Sequence, residues 1–226
     1  MEWLLDVYNY QVVWDYAPTF GFGLWRTVWI SLVCLIASLI LGTGVALMRR
    51  SGSRLIRYPA TVFVEALRGT PLLVQIYIVY YSLPAIPGLD RRLSELEGGL
   101  LALSIHTAAY MAEIIRAGIA SVPSGQREGA MSVGMTRWQT LRHIVLPQAF
   151  ANVVPPVIGQ TAVLIKDSSL LSMIAVFELM SAGLRLMNDR YMPNEAFLTS
   201  AACYLLIYMV MLVVSNHVQT RLAGRG

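Results

Sequence analysis

Five apolar runs alternate with short polar stretches along the chain. A helix that crosses a bilayer needs about 20 mostly apolar residues. The first run covers about residues 22–48, with Arg26 as its one charge. The second covers about 58–83 and is interrupted by Glu65, Arg68, Gly69 and Pro71. The third covers about 98–119, and the fourth about 148–180 with a polar break near 166–169. The fifth covers about 195–218. The pattern predicts an all-α membrane protein of five transmembrane helices, one membrane domain over residues 1–226. It leaves no room for a second folded domain.

Composition supports this. Hydrophobic residues make up 56% of the 226 and charged residues 13%, where a soluble domain carries about 25% charged residues. Mean hydropathy is +0.59. A soluble globule of this composition would expose large apolar patches, which soluble monomers avoid, and disorder is excluded for the same reason. Cys34 and Cys203 sit inside apolar runs and read as packing residues. His106, His143 and His217 have no ligand spacing, so no metal, cofactor or catalytic group is expected in this chain. The net charge of +4 comes from arginines clustered between apolar runs, which points to membrane topology and not to nucleic acid.

The arginine distribution orients the spans. Arg49, Arg50, Arg54 and Arg57 follow the first run; Arg116, Arg127, Arg137 and Arg142 follow the third; Arg221 and Arg225 lie in the tail. The opposite loops carry Arg91, Arg92, Arg185 and Arg190, among the acids Asp90, Glu95, Glu97, Asp189 and Glu195. Basic loops stay inside, so the C-terminus and residues 120–147 are expected in the cytoplasm and the N-terminus outside. Trp3, Tyr8, Tyr10, Trp14, Tyr16 and Phe20 suit a membrane interface. Glu2 and Asp6 stand where a signal peptide would be basic, so a cleaved one is not expected.

Residues 120–147 form the most polar stretch. Ser124 is placed to cap a helix with Glu128 in its early turns, Gly134 marks a bend, and Thr136 with Gln139 is a capping-box pattern for a second short helix. Pro147 then begins the next span. Two short helices joined at a glycine make a knob that another protein can grip, or an ordinary interfacial hairpin.

The order Glu128-Gly129-Ala130, Gly134, Ile144 and Leu146-Pro147 resembles the EAA loop of bacterial ABC importer permeases. The one departure is Gly129, where the family usually has alanine; glycine costs about 1 kcal/mol in a helix interior. Residues 65–75, 110–126 and 166–170 resemble further motifs of the polar amino-acid (histidine/glutamine) permeases. The resemblance implies a type I permease of five spans, dimerised around a substrate path and resident in the bacterial inner membrane. Its implied partners are an ABC ATPase dimer holding ATP and Mg, a second permease subunit (a homologue or a second copy), an extracytoplasmic substrate-binding protein and the bilayer. Glu128, Gly129, Ala130, Gly134, Ile144, Leu146 and Pro147 would then couple to the ATPase. The chain has no Gly-x4-Gly-Lys-Ser/Thr loop, and Lys166 is its only lysine, so ATP hydrolysis is expected on a separate chain.

Glu65, Arg68, Glu113, Lys166, Asp167 and Glu178 lie in or beside spans. A charge at the bilayer centre costs about 2.5–3.5 kcal/mol, so these groups pair, line a polar path or sit near an interface. Glu65 with Arg68, and Glu113 with Arg116, are spaced to pair on one helix face. An amino-acid carboxylate needs hydroxyl or N–H donors, which Thr70, Ser168 and Ser169 carry. Its ammonium needs an oxygen, which Glu65, Gln75 or Asp167 carries. With Arg68 and Lys166 these make the candidate substrate path, although Lys166 and Asp167 can equally neutralise each other. His106 and Tyr110 read as packing with one hydrogen bond. An ion-coupled secondary transporter using the intramembrane acids is the rival function, and a membrane scaffold a third.

Overall fold

The structure, a computed structural model, describes residues 8–86 and 92–223. Glu2, Trp3, Asp6, Asp90, Arg91 and Arg225 lie outside the described residues. Within them the chain is helical, with no strand.

Asn9 opens the short helix α1, Tyr10–Asp15, its side chain accepting from the N–H groups of Gln11 and Val12. Tyr8 and Tyr16 hydrogen-bond Thr199 and Asp189, so this aromatic segment is tied to the last two helices. Trp14 remains 80% exposed, as an interfacial aromatic would be.

α2, Ala17–Arg49, is about 50 Å long. Its buried stripe is mostly small: Gly23, Thr27, Ser31, Cys34, Ser38, Gly42 and Ala46. α5, Glu95–Ala120, answers with Ala102, Ser104, Ala108, Ala109 and Ala112. Small side chains let two membrane helices approach closely, where van der Waals contact supplies the attraction. A Cβ on Gly42 would stand 2.7 Å from Met111 Cβ and 2.9 Å from the Ala108 carbonyl, so this crossing admits only glycine. α5 starts at a capping box between Ser94 and Glu97 and forms the centre of the bundle.

The predicted second span is built of two helices. α3, Arg54–Arg68, and α4, Leu72–Tyr77, which continues through a π turn and a 3-10 turn to Ala85, are bent by 112°. Gly69-Thr70-Pro71 causes the break: proline has no N–H to continue the ladder, and Pro71 is extended at ψ 135°. The Leu72–Ala85 piece alone is about 20 Å long, short of the roughly 30 Å hydrocarbon core. Four described helices are therefore long and apolar enough to cross, and five spans result when the bent pair counts as one.

The 120–147 stretch folds as two short helices joined at Gly134, as the sequence predicts: α6, Ser124–Ser132, and α7, Arg137–Thr140. The Thr136–Gln139 capping box forms. Ser124 is not a cap; Pro123 holds that position without a side-chain bond, and Ser124 is the first helical residue. A π turn, Leu141–Val145, leads directly into α8, Leu146–Asp167, with Pro147 in its first turn.

The limits of the fourth span also change. The helix runs continuously from Arg137 to Ile174. Residues 166–169 are not a break but the place where the α-helix tightens into the 3-10 turn Ser168–Ile174. The chain reverses at Ala175, in the left-handed region, and α9, Leu179–Arg190, is a separate helix. α10, Pro193–Ala223, packs on the outside of the bundle.

Candidate substrate path and coupling loop

At the helix break, Gln75 is 7% exposed and bonds both sides of the bend. Its amide nitrogen donates to the Leu67 carbonyl at 2.7 Å, the Thr70 carbonyl at 3.1 Å and the Thr70 hydroxyl at 2.8 Å. Its amide oxygen faces His106 Nδ1 at 2.9 Å. Thr70 donates in turn to the Ala66 carbonyl. The last carbonyls of α3 would otherwise be orphans; Gln75 satisfies that of Leu67, Thr70 that of Ala66 and Gly69 N that of Glu65, and Gln75 also ties α4 to α5. His106 packs against Tyr110, as expected, but its hydrogen bond goes to Gln75. Gln75→Leu is therefore expected to lower stability by about 2 kcal/mol or more, since each buried group left unpaired costs roughly 1–3 kcal/mol. The midpoint of an SDS unfolding titration on the solubilised chain checks this.

Arg49, at the end of α2, lies between two acids. It is 2.6 Å from Glu113 on α5 and 3.5 Å from Glu65 on α3. Arg116 grips the same Glu113 at 2.5 Å, the predicted i, i+3 pair. Glu65 pairs with Arg49 and not with Arg68, because Arg68 turns its guanidinium over the Tyr110 ring, 5.5 Å from the centroid. The result is a charge lattice joining three helices. Glu65, Arg68 and Thr70 remain exposed.

Lys166 is exposed on α8, its Nζ 5.7 Å from the Tyr208 ring on α10. It stands in a cavity of about 190 Å³ lined also by Gly159, Ala162 and Ser215. Asp167 is half-buried. Ser168 is buried and donates to the Ile165 carbonyl; Ser169 donates to the Lys166 carbonyl. Both hydroxyls are thus engaged by their own helix. Among the described residues no hydrogen bond or ion pair links Lys166 and Asp167 to Glu65, Arg68, Thr70 or Gln75. What joins α4 to the 168–174 turn is apolar: Leu72, Ile76, Leu164 and Leu171 share one core cluster.

The sequence-level reading does not single out Glu178 as a functional position. It is fully buried and caps α9. Its carboxylate accepts from Met180 N and Ser181 N at 2.9 Å, Tyr204 OH at 2.6 Å and Thr27 Oγ1 at 3.5 Å. None of these donors is a cation. The cluster joins α2, α9 and α10. Its sequence signal is faint, an acid inside an apolar stretch, since its partners lie as far as 151 residues away.

The loop stands on a small core of Val122, Val145 and Ala149, with Ile119 against it. Ala130 is buried and its carbonyl accepts from Met135 N at 3.1 Å, closing α6. Gly134 has φ +85°. Glu128, Gly129, Leu146 and Pro147 are exposed, and Ile144 is half-buried. Beside Gly134, Val133 is 79% and Trp138 65% exposed, an apolar tip that the motif does not name. Apolar residues in an otherwise polar stretch were the available signal.

Described helices long and apolar enough to cross a membrane, with a short helical hairpin between two of them, fit an integral membrane protein. Residues 35–225 match the family described as binding-protein-dependent transport system inner membrane component, and the chain belongs to that family. It is 31% identical to the glutamine transport system permease protein GlnP of Escherichia coli K12, over 95% of this chain and 98% of that one. It is 40% identical to the octopine transport system permease protein OccM of Rhizobium meliloti, over 74% of this chain and 70% of the relative. Among solved structures it matches a chain of an amino acid ABC transporter with histidines at a TM-score of 0.89 and 30% identity, covering 94% of this chain and 98% of that one. A chain of the MetNI methionine ABC transporter in an inward-facing conformation shares the fold, with a TM-score of 0.68 and 16% identity over 88% of this chain and 96% of that one. The fold is that of type I ABC importer permeases.

Proposed function

We propose that this chain is the membrane-spanning subunit of an ATP-driven importer of polar amino acids or of derivatives such as opines. It works with an ABC ATPase dimer that carries ATP and Mg, a second permease subunit and an extracytoplasmic binding protein. The N-terminus lies outside and the C-terminus in the cytoplasm. The observation that carries the reading is the loop: Glu128-Gly129-Ala130 and Gly134 sit on a two-helix knob that stands on a small apolar core between α5 and α8. Such a knob seats in an ATPase groove, and ATP-driven closure of the ATPase pair then rocks the spans between outward-open and inward-open states. Glutamine, octopine and L-cystine permeases among the relatives support the substrate class. In the path, exposed Lys166 is the cation for a substrate carboxylate, and exposed Glu65 an acid for an ammonium. Gln75 and Ser168 act from behind, holding the backbone that lines the path.

Reconstituted with its ATPase and binding protein, the complex is expected to accumulate amino acid only with ATP inside the ATPase compartment. Uptake driven by a proton or sodium gradient without ATP would refute the reading and restore the secondary-transporter alternative.

A further inference from the structure

We propose that a cavity under the coupling loop binds the phosphate of an anionic phospholipid of the inner leaflet. The cavity has a volume of about 340 Å³. Three guanidinium-bearing residues line it, each from a different element: Arg50 just after α2, Arg127 on α6 and Arg137 at the start of α7. No acid lines it. Among the described residues none of the three is in an ion pair. Like charges gathered around one space repel unless an anion stands between them.

Two orphaned polar atoms give an independent indication. Thr140 lines the cavity, is 4% exposed, and its hydroxyl has no hydrogen-bond partner. Arg127 Nε is likewise shielded and unpartnered, although Nη2 of the same side chain reaches the Val122 carbonyl at 3.3 Å. A buried polar group without a partner costs about 1–3 kcal/mol, and native structures keep few of them. Both residues line the space in which a phosphate diester would present acceptor oxygens.

The rest of the lining chooses the lipid over a free anion. Ile119 comes from the end of α5, and Val145 leads into α8; Met131 and Leu141 complete an apolar half. A solvated phosphate gains nothing from that half, whereas a glycerol backbone and its first methylenes bury against it. The position, where spans end and arginines begin, is the depth of a headgroup, and basic pockets between helices on the cytoplasmic side take anionic heads. Glu128, Val133, Gly134 and Trp138 are not part of the lining, so the lipid and the ATPase use different faces of the loop. The inference rests on the cytoplasmic placement of residues 120–147 that belongs to the proposed function.

The test is lipid retention by the full solubilised chain, read by native mass spectrometry during titration with phosphatidylglycerol, phosphatidylcholine or inorganic phosphate. Wild type is expected to retain one phosphatidylglycerol in preference to phosphatidylcholine, undisplaced by phosphate. Arg50→Gln and Arg137→Gln each weaken that retention about fivefold, the equivalent of one cationic contact near a membrane surface. Thr140→Val weakens it severalfold without lowering thermal stability. Arg57→Gln, an exposed arginine outside the cavity, leaves it unchanged. Equal loss in Arg57→Gln, equal retention of phosphatidylcholine, displacement by phosphate, or displacement by the ATPase chain would each overturn the proposal. The readout needs neither ATP nor uptake. A chain that retains the lipid as expected but fails ATP-driven transport faults the proposed function alone, and one that transports but shows no preference faults this site alone.

Discussion

Glu178→Ala is expected to destabilise the solubilised chain by about 3 kcal/mol or more, the largest single loss among the substitutions considered. The carboxylate is fully buried and is the common acceptor for Met180 N, Ser181 N, Tyr204 OH and Thr27 Oγ1. Alanine removes a helix cap, worth about 1 kcal/mol. It also strands the Tyr204 phenol and the Thr27 hydroxyl where α2, α9 and α10 meet. Glu178→Gln keeps one acceptor oxygen but sets an NH2 against donors, so its loss is intermediate. SDS unfolding midpoints of the three proteins give the order. A midpoint for Glu178→Ala equal to wild type would show that the cluster does not hold α2, α9 and α10 together.

Gly134→Arg is expected to abolish ATP-driven uptake while leaving the chain inserted in the membrane. No heavy atom lies within 4 Å of where a Cβ would be, so the effect is conformational and not a core clash. At φ +85° an L-residue costs roughly 1–2 kcal/mol. Relief of that strain swings α6 relative to α7, which are held by few buried groups. Gly134→Asn, which tolerates the left-handed region, should retain much of the activity. Uptake by reconstituted vesicles, with membrane content measured alongside, tests the pair. Full uptake by Gly134→Arg would remove the loop from the coupling mechanism.

Local signals were legible where their cause is local. The Thr136–Gln139 box and the turn at Gly134 depend on residues within a few positions, and both form as the spacing predicts. Gly69-Thr70-Pro71 announced an interruption for the same reason. Its size, 112°, was not legible, because the angle is set by Gln75 reaching back to Leu67 and across to His106 on another helix. Spacing correctly paired Glu113 with Arg116 but paired Glu65 with Arg68, since it could not see Arg49 arriving from α2. The run of polar residues at 166–169 predicts a break there. Ser168 and Ser169 instead bond their own helix carbonyls, and the reversal falls later, at Ala175.

What the sequence determined by itself was the class of molecule: apolar runs long enough to cross, and a loop whose residue order marks the family. These are properties of a linear string, because lipid partition and short-range capping depend on neighbours along the chain. The tertiary structure alone decided which polar groups are free. It consumed Gln75 and Ser168 in holding backbone, buried Glu178 under five donors, left Lys166 and Glu65 exposed on different helices, and gathered Arg50, Arg127 and Arg137 around one cavity. Such outcomes turn on distances between residues far apart in the chain, because a buried donor finds its acceptor only where the fold brings one.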